Sequence, residues 1–356
     1  MPHTYDLIKI VGSPFIEKTP DVQFDVLEEL FDRAFADRVA LLYLTMHRKV
    51  GWPAVLEEKY LKLNDRRNRT LEVVADLGQT LNRLNRKGYA VFKSLKPYPA
   101  TPNDTDVIIF GNKEQFKAAL DHLYSENYLF HEWAPMQTTL IHPLGKGKTG
   151  KGKKGGTYYI DMYSDISTDY FLYIDKRSLM PYVEDRDLNG VQIRNVRKEV
   201  ELGVTLFHNV FPERTFQLEH FYMPLYHLND DDFDLRVLIT FAEEQKLSHA
   251  IATNLTLVEY IHKKLFNFAP APITSLLDGW GRNTYELSRF IASGEETPHM
   301  FSPRTFWITF SHKLKDPSAL RSLLLQGLHM LNPVFFADVT RSLKNRFSEK
   351  GTYQLE

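Results

Sequence analysis

The chain contains no cysteine. Disulfide scaffolds, thiolate zinc sites, iron–sulfur clusters and thiol nucleophiles are therefore excluded. No apolar run approaches the roughly 18 residues that a membrane-spanning helix needs. The opening MPHTYDLIKIVG lacks the basic segment and apolar stretch of a secretory signal. The expected location is cytoplasmic, with no membrane partner. An excess of one charge is also missing. Lys plus Arg number 44 and Asp plus Glu 45, a net charge of -1. That excludes a uniformly basic nucleic-acid coat but leaves room for a local basic patch. No Gly-x-Ser-x-Gly elbow is present for a hydrolase, and no Gly-x-Gly-x-x-Gly follows a strand for a Rossmann site.

What is present is an ordinary globular composition, 43% hydrophobic and 25% charged over 356 residues. That length suits two domains, or one domain with substantial additions. Aromatics at 13% can fill a large core.

The first 88 residues read as helical. Val26, Leu27, Leu30, Phe31 and Phe35 recur at helical spacing within 22–50. Further helices are expected over 53–63 and 68–86, the last ended by Gly88. The pattern then changes. Tyr89–Phe92 reads as a strand, and the Pro-rich loop 96–103 excludes helix and central strand. Residues 104–111 read as a strong strand, 112–127 as a helix with Asn112 as its N-cap. Strands follow at 128–133, 137–141 and 157–163. From 197 helices return, at 197–211, 215–226, 232–246, 255–267, 272–290 and 317–347, interrupted by a strand-like run, Thr305–Phe310. The expected class is α+β. A small mixed β-sheet over 89–196 is flanked by a helical N-terminal region, 1–88, and a helical C-terminal region, 197–356.

The chemistry centres on Asp104-Thr105-Asp106. On a strand, residues i and i+2 share a face, so Asp104 and Asp106 project side by side. Two like charges that close repel unless a cation lies between them or one is protonated. Mg²⁺, a hard cation that favours carboxylate oxygens, is the usual solution. Asp161, a lone acid in the apolar strand Tyr159–Tyr163, is the third ligand expected. A charge there is costly unless paired or ligated. The plainer alternative is a solvent-facing Asp pair, with Asp161 satisfied by backbone or a lysine.

With Ser94 ten residues before Asp104, then Asp104-x-Asp106 and Asp161, the text YAVFKSLKPYPATPNDTDVIIFG resembles the DNA-polymerase-β-type nucleotidyltransferase superfamily. It is most similar to a branch of nucleotidyltransferase-like proteins found mainly in archaea. The segment Glu199–Tyr222 resembles the helical part that follows the catalytic sheet there. The likeness runs from about residue 71 to 268. It implies that Asp104, Asp106 and Asp161 are catalytic and bind two divalent metals, Mg²⁺ or Mn²⁺. It also implies that Ser94 meets a phosphate of an NTP. The family turn has Gly before Ser; here Lys93 stands in its place, and Lys93 and Lys96 would act as point charges at the nucleotide. The implied reaction moves an NMP from an NTP to a hydroxyl on an RNA 3′ end, a protein or a small molecule. The Lys93 departure keeps a second reading open, an inactive member of the fold that binds nucleic acid or protein.

The stretch 145–156 (GKGKTGKGKKGG) carries Lys146, Lys148, Lys151, Lys153 and Lys154 and no acid. A P-loop would need Gly where His142 stands, and the segment leads into a strand. It reads as a flexible connection, either holding a polyanion such as RNA or tRNA or simply solvated. Basic clusters at Arg66, Arg67 and Arg69, and at Arg194, Arg197 and Lys198, read chiefly as solvated helix faces.

Overall fold

The computed structural model describes residues 4–16, 24–48, 52–102, 104–134, 136–143, 157–168 and 171–329, with 331, 333, 336 and 340 beyond them. Four helices come first: α1 (Thr4–Val11), α2 (Phe24–Ala36), α3 (Ala40–His47) and α4 (Ala54–Asn85). The strands β1 (Tyr89–Phe92), β2 (Asp104–Ile109), β3 (Leu129–Ala134), β4 (Gln137–Ile141) and β5 (Tyr159–Tyr163) follow, with α5 (Lys113–Ser125) between β2 and β3. Next come β6 (Ile166–Thr168), β7 (Phe171–Ile174), the short α6 (Lys176–Leu179), β8 (Val183–Leu188) and β9 (Val191–Val196). The remainder is helical except for one small strand pair. It comprises α7 (Lys198–Val210), β10 (Thr215–Phe216), α8 (Leu218–Leu228), α9 (Leu235–Glu244), α10 (Ser248–Phe266), α11 (Ala271–Trp280), α12 (Thr284–Ala292), β11 (His299–Met300), α13 (Pro303–Lys313) and α14 (Pro317–His329).

The main sheet is mixed and seven-stranded, in the order β3-β4-β5-β2-β1-β9-β8. Two pairings in it are parallel, β2 with β5 and β1 with β9. Strand alternation divides it between two cores. Val91, Val107, Ile109, Ile160 and Met162 pack on the α4–α5 side. Ala90, Phe92 and Ile108 join the larger core built with the helices of both chain ends. Where α4 crosses β9, Gly78 lets the helix come close: a Cβ there would lie 2.4 Å from Ile193 Cγ2.

The larger core runs from Leu7 to Ala319, so the first and last thirds of the chain are packed together. A polar knot ties them. Thr297 Oγ1 donates to Asp37 (2.9 Å), and Arg33 donates to Asp37 (2.6 Å) and to Thr4 (2.7 Å).

Several elements differ from the sequence expectation. The helix expected over 22–50 is two, broken where Arg38 takes a left-handed φ of 61°. The two helices expected over 53–86 are one, because the Asn64–Arg67 stretch stays helical. Polar residues on an exposed face cost a helix only tenths of a kcal/mol each, and Asp65 pairs with Arg69 one turn on (3.0 Å). The helix expected over 272–290 is split by Gly281, at φ 84°. The run Thr305–Phe310, expected as a strand, lies inside α13. There Ser302 caps the Thr305 amide and Pro303 takes the first turn, so start signals outweigh β-branched composition. The β8–β9 hairpin was not anticipated. Its signal is Asn189-Gly190, both at positive φ (54° and 81°), the pair a tight primed turn requires.

Candidate functional site

β2 and β5 run in parallel with Asp106 opposite Asp161. Register partners in a sheet put their side chains on the same face, and Asp104 shares that face two residues earlier. All three acids thus project from the face that also carries Phe92 and Ile108. Asp106 is buried, Asp161 half-buried and Asp104 exposed.

A lysine is built into the cluster. Lys93 Nζ lies 3.4 Å from Asp106 Oδ2 and packs over the rings of Phe92 and Tyr163, 5.2 and 5.8 Å from their centroids. Burial alone would lower its ammonium. Asp106, with Tyr173, Asp104 and Glu213, more than offsets this and raises it above the ordinary lysine range. Lys93 has φ 60°, the left-handed backbone that glycine adopts without strain. The turn therefore keeps a glycine conformation while carrying a long cationic side chain.

The acids are correspondingly hard to ionise. Asp104 is pushed up to about 6, by enclosure among protein atoms despite its exposed tip and then by Asp106, against Lys93 and Lys96. Burial raises Asp106, which Asp161 raises further while Lys93 and the Tyr163 hydroxyl draw it down. Burial also raises Asp161. Asp104 adds to that rise, and a 2.6 Å hydrogen bond donated by Thr139 opposes it. Three carboxyl groups thus share one contacting ammonium, with Lys96 and Arg38 acting on Asp104 from further off.

The remaining predicted residues fall as follows. Ser94 is buried between strands. Its hydroxyl donates to the Phe92 carbonyl (3.0 Å) and accepts from the Asp106 amide (2.9 Å), so it braces the turn on β2. Lys96 Nζ lies 3.9 Å from Glu219 and acts on Asp104. Lys146, Lys148, Lys151, Lys153 and Lys154 lie outside the described residues. Arg69, Arg194, Arg197 and Lys198 each meet a carboxylate: Asp65, Asp185, Glu199 and Asp230.

Sequence reasoning missed Thr139 and Tyr163, which support Asp161 and Asp106, and Glu201 of α7. Glu201 is buried, near the Lys93 backbone and the Asn195 side chain. Burial pushes its carboxyl up to about 7. The alternation of β4 and β5 was a usable signal for the first two; nothing local marked Glu201.

The donor chemistry suits a hard divalent cation: oxygen ligands, mutually repelling, on one face. Among the described residues no three acidic or histidine side chains are gathered tightly enough to hold a metal as they stand. Lys93 is the cation already between them. Compared with protein-family models, curated proteins and solved structures, the chain has no significant match.

Proposed function

We propose that the chain is a divalent-cation-dependent nucleotidyltransferase. The observation that carries the reading is the register of Asp106 against Asp161, with Asp104 on the same face. Asp104, Asp106 and Asp161 would hold Mg²⁺ or Mn²⁺ once the Lys93 ammonium swings off Asp106. When bound, the metal supplies charge stabilisation at the transferred phosphoryl group and acidifies the acceptor hydroxyl. The chain's own part is positional. Thr139 fixes the orientation of Asp161, which faces the acceptor and takes up its proton. Tyr163 holds Asp106. Lys96, and Lys93 when displaced, offer positive charge to the nucleotide phosphates. The acceptor oxygen bonds to the α-phosphorus and pyrophosphate departs.

The test is incubation of the full chain with α-³²P-labelled NTPs, Mg²⁺ or Mn²⁺, and a mixed RNA pool. Label should move to RNA or to the protein only with the cation, and not in Asp104→Ala or Asp106→Ala. Transfer that survives both substitutions would refute the reading.

A second reading is favoured by one observation, the Lys93–Asp106 ion pair. A lysine that satisfies the acids permanently would leave a non-catalytic module for nucleic acid or protein. Titration calorimetry separates the two. Salt-sensitive RNA binding, with no Mg²⁺–NTP binding at millimolar concentration, selects the module.

A further inference from the structure

Where α4 meets the 93–102 turn and β8, the surface holds a recess of about 140 Å³. Its apolar lining comes from both cores: Leu71, Leu95 and Leu188 belong with the α4-side core, Tyr98 and Ala100 with the larger one. The acids project from the larger core's face, and Lys96 acts on Asp104. Three cations from three elements line the recess: Arg67 of α4, Lys96 of the turn and Arg186 of β8.

The two arginines are poorly compensated. Among the described residues, neither Arg67 nor Arg186 has a salt-bridge or hydrogen-bond partner. On β8 the neighbouring acids turn away from Arg186: Asp185 pairs with Arg86 and Arg194, and Asp187 takes Gly190 and Gln192. Lys96 is the exception, paired with the Glu219 carboxylate at 3.9 Å. Glu201, on which both Lys96 and Arg186 act, has a carboxyl pushed up to about 7 and so competes weakly for them. His227, which both also act on, is held neutral by burial, at about 3.

The lining hydroxyls are committed elsewhere. Thr70 donates to the Arg66 carbonyl, Ser94 to Phe92 and Tyr98 to Glu219. The available donors are therefore cationic, and they come from three elements around one recess.

We propose that this recess binds a compact phosphoryl dianion: free phosphate, pyrophosphate or the terminal phosphate of a nucleoside diphosphate. A planar guanidinium matches phosphate oxygens in pairs, and two of the three cations are arginines. A diester strand, with one charge per phosphate, suits an extended basic track instead. The site shares Lys96 with the transferase reading, but it adds Arg67 and Arg186 and needs no divalent metal.

The experiment is calorimetric titration of the full chain at low salt with EDTA. Inorganic phosphate, pyrophosphate and ADP are used in separate arms, and the arm that binds tightest identifies the source. Wild type is compared with Arg67→Gln and Arg186→Gln, whose fold is checked by circular dichroism. Asp106→Asn is run in parallel. We expect saturable one-to-one binding, weakened about tenfold by each arginine substitution and not weakened by Asp106→Asn. Binding that is unchanged in both arginine variants overturns the proposal. So does absence of binding at millimolar ligand, or binding of single-stranded RNA alone. Loss of nucleotidyl transfer in the Asp104 variant tests the other reading and leaves this one untouched.

Discussion

Replacing Lys93 by Met removes the only cation within contact of Asp106 among the described residues and keeps most of the side chain's bulk. At 3.4 Å and an effective dielectric near 20, the pair is worth about 5 kcal/mol of Coulomb energy. Part of that is not recovered in the folded protein, because burying the lysine costs hydration, and part of the loss is relieved when a carboxyl takes a proton. Breaking one side of a buried pair typically costs about 3–5 kcal/mol, and with this relief we expect about 2–4 kcal/mol. Unfolding entropy of about 2.1 cal/mol/K per residue amounts to about 0.75 kcal/mol/K for this chain, so the midpoint should fall by roughly 3–5 °C. Millimolar Mn²⁺ should then stabilise the variant more than wild type, since the cation no longer competes with an ammonium. Cation at a hundred times its dissociation constant contributes about 2.7 kcal/mol. Lys93→Gly should unfold about 1 kcal/mol harder than Lys93→Met, because glycine relieves the left-handed backbone. Differential scanning fluorimetry with and without Mn²⁺ measures all three. A Lys93→Met midpoint within about 1 °C of wild type, together with equal Mn²⁺ gains, would show that the ammonium is not the counter-charge of the acids.

Thr139→Val should cost about 1–2 kcal/mol in urea unfolding, by leaving Asp161 without its hydroxyl donor; an unchanged midpoint contradicts the 2.6 Å bond. Gly78→Ala should destabilise by about 1–3 kcal/mol despite alanine's helix preference, because its methyl would collide with Ile193. Stabilisation instead would mean that α4 stands further from the sheet. Glu286 is fully buried and accepts from His299 (2.9 Å), Ser302 (2.8 Å) and Thr305. Against the opposing cost of burial, these donors hold its carboxyl down at about 2. Its folded pKa is depressed, so its contribution is full above the unfolded value near 4.3 and is lost as pH falls toward 2, roughly 3 kcal/mol at most. Glu286→Gln should flatten the stability profile in that window, and an unaltered slope would contradict the assignment.

The strands that carry the acids were legible because their cues are local: Gly88 and Gly111 bound apolar runs, and an Asp inside Tyr159–Tyr163 demands a partner. Asn112 marked α5 for the same reason. The parallel register that sets Asp106 against Asp161 depends on two strands some fifty residues apart, which no local pattern encodes. Lys93 in contact with Asp106 follows from a backbone twist that lysine composition does not suggest. The β8–β9 hairpin, and with it Arg186, was hidden because Val183–Val196 alternates charges with few apolar residues. Only Asn189-Gly190 betrayed the turn. Thr305–Phe310 misled because β-branched and aromatic residues also serve a helix packed against aromatic neighbours, as Phe306 stacks on Phe211 at 4.8 Å.

The tie between Thr4, Arg33, Asp37 and Thr297 works as a clasp on a ring. The polypeptide starts and returns against the same inner wall, and the strands are strung between. A fragment trimmed to 89–196 would keep every acid yet present Ala90, Phe92 and Ile108 to water, so excision is expected to yield an aggregating piece rather than a miniature enzyme. Whatever loosens the clasp should be felt at the acids without touching them.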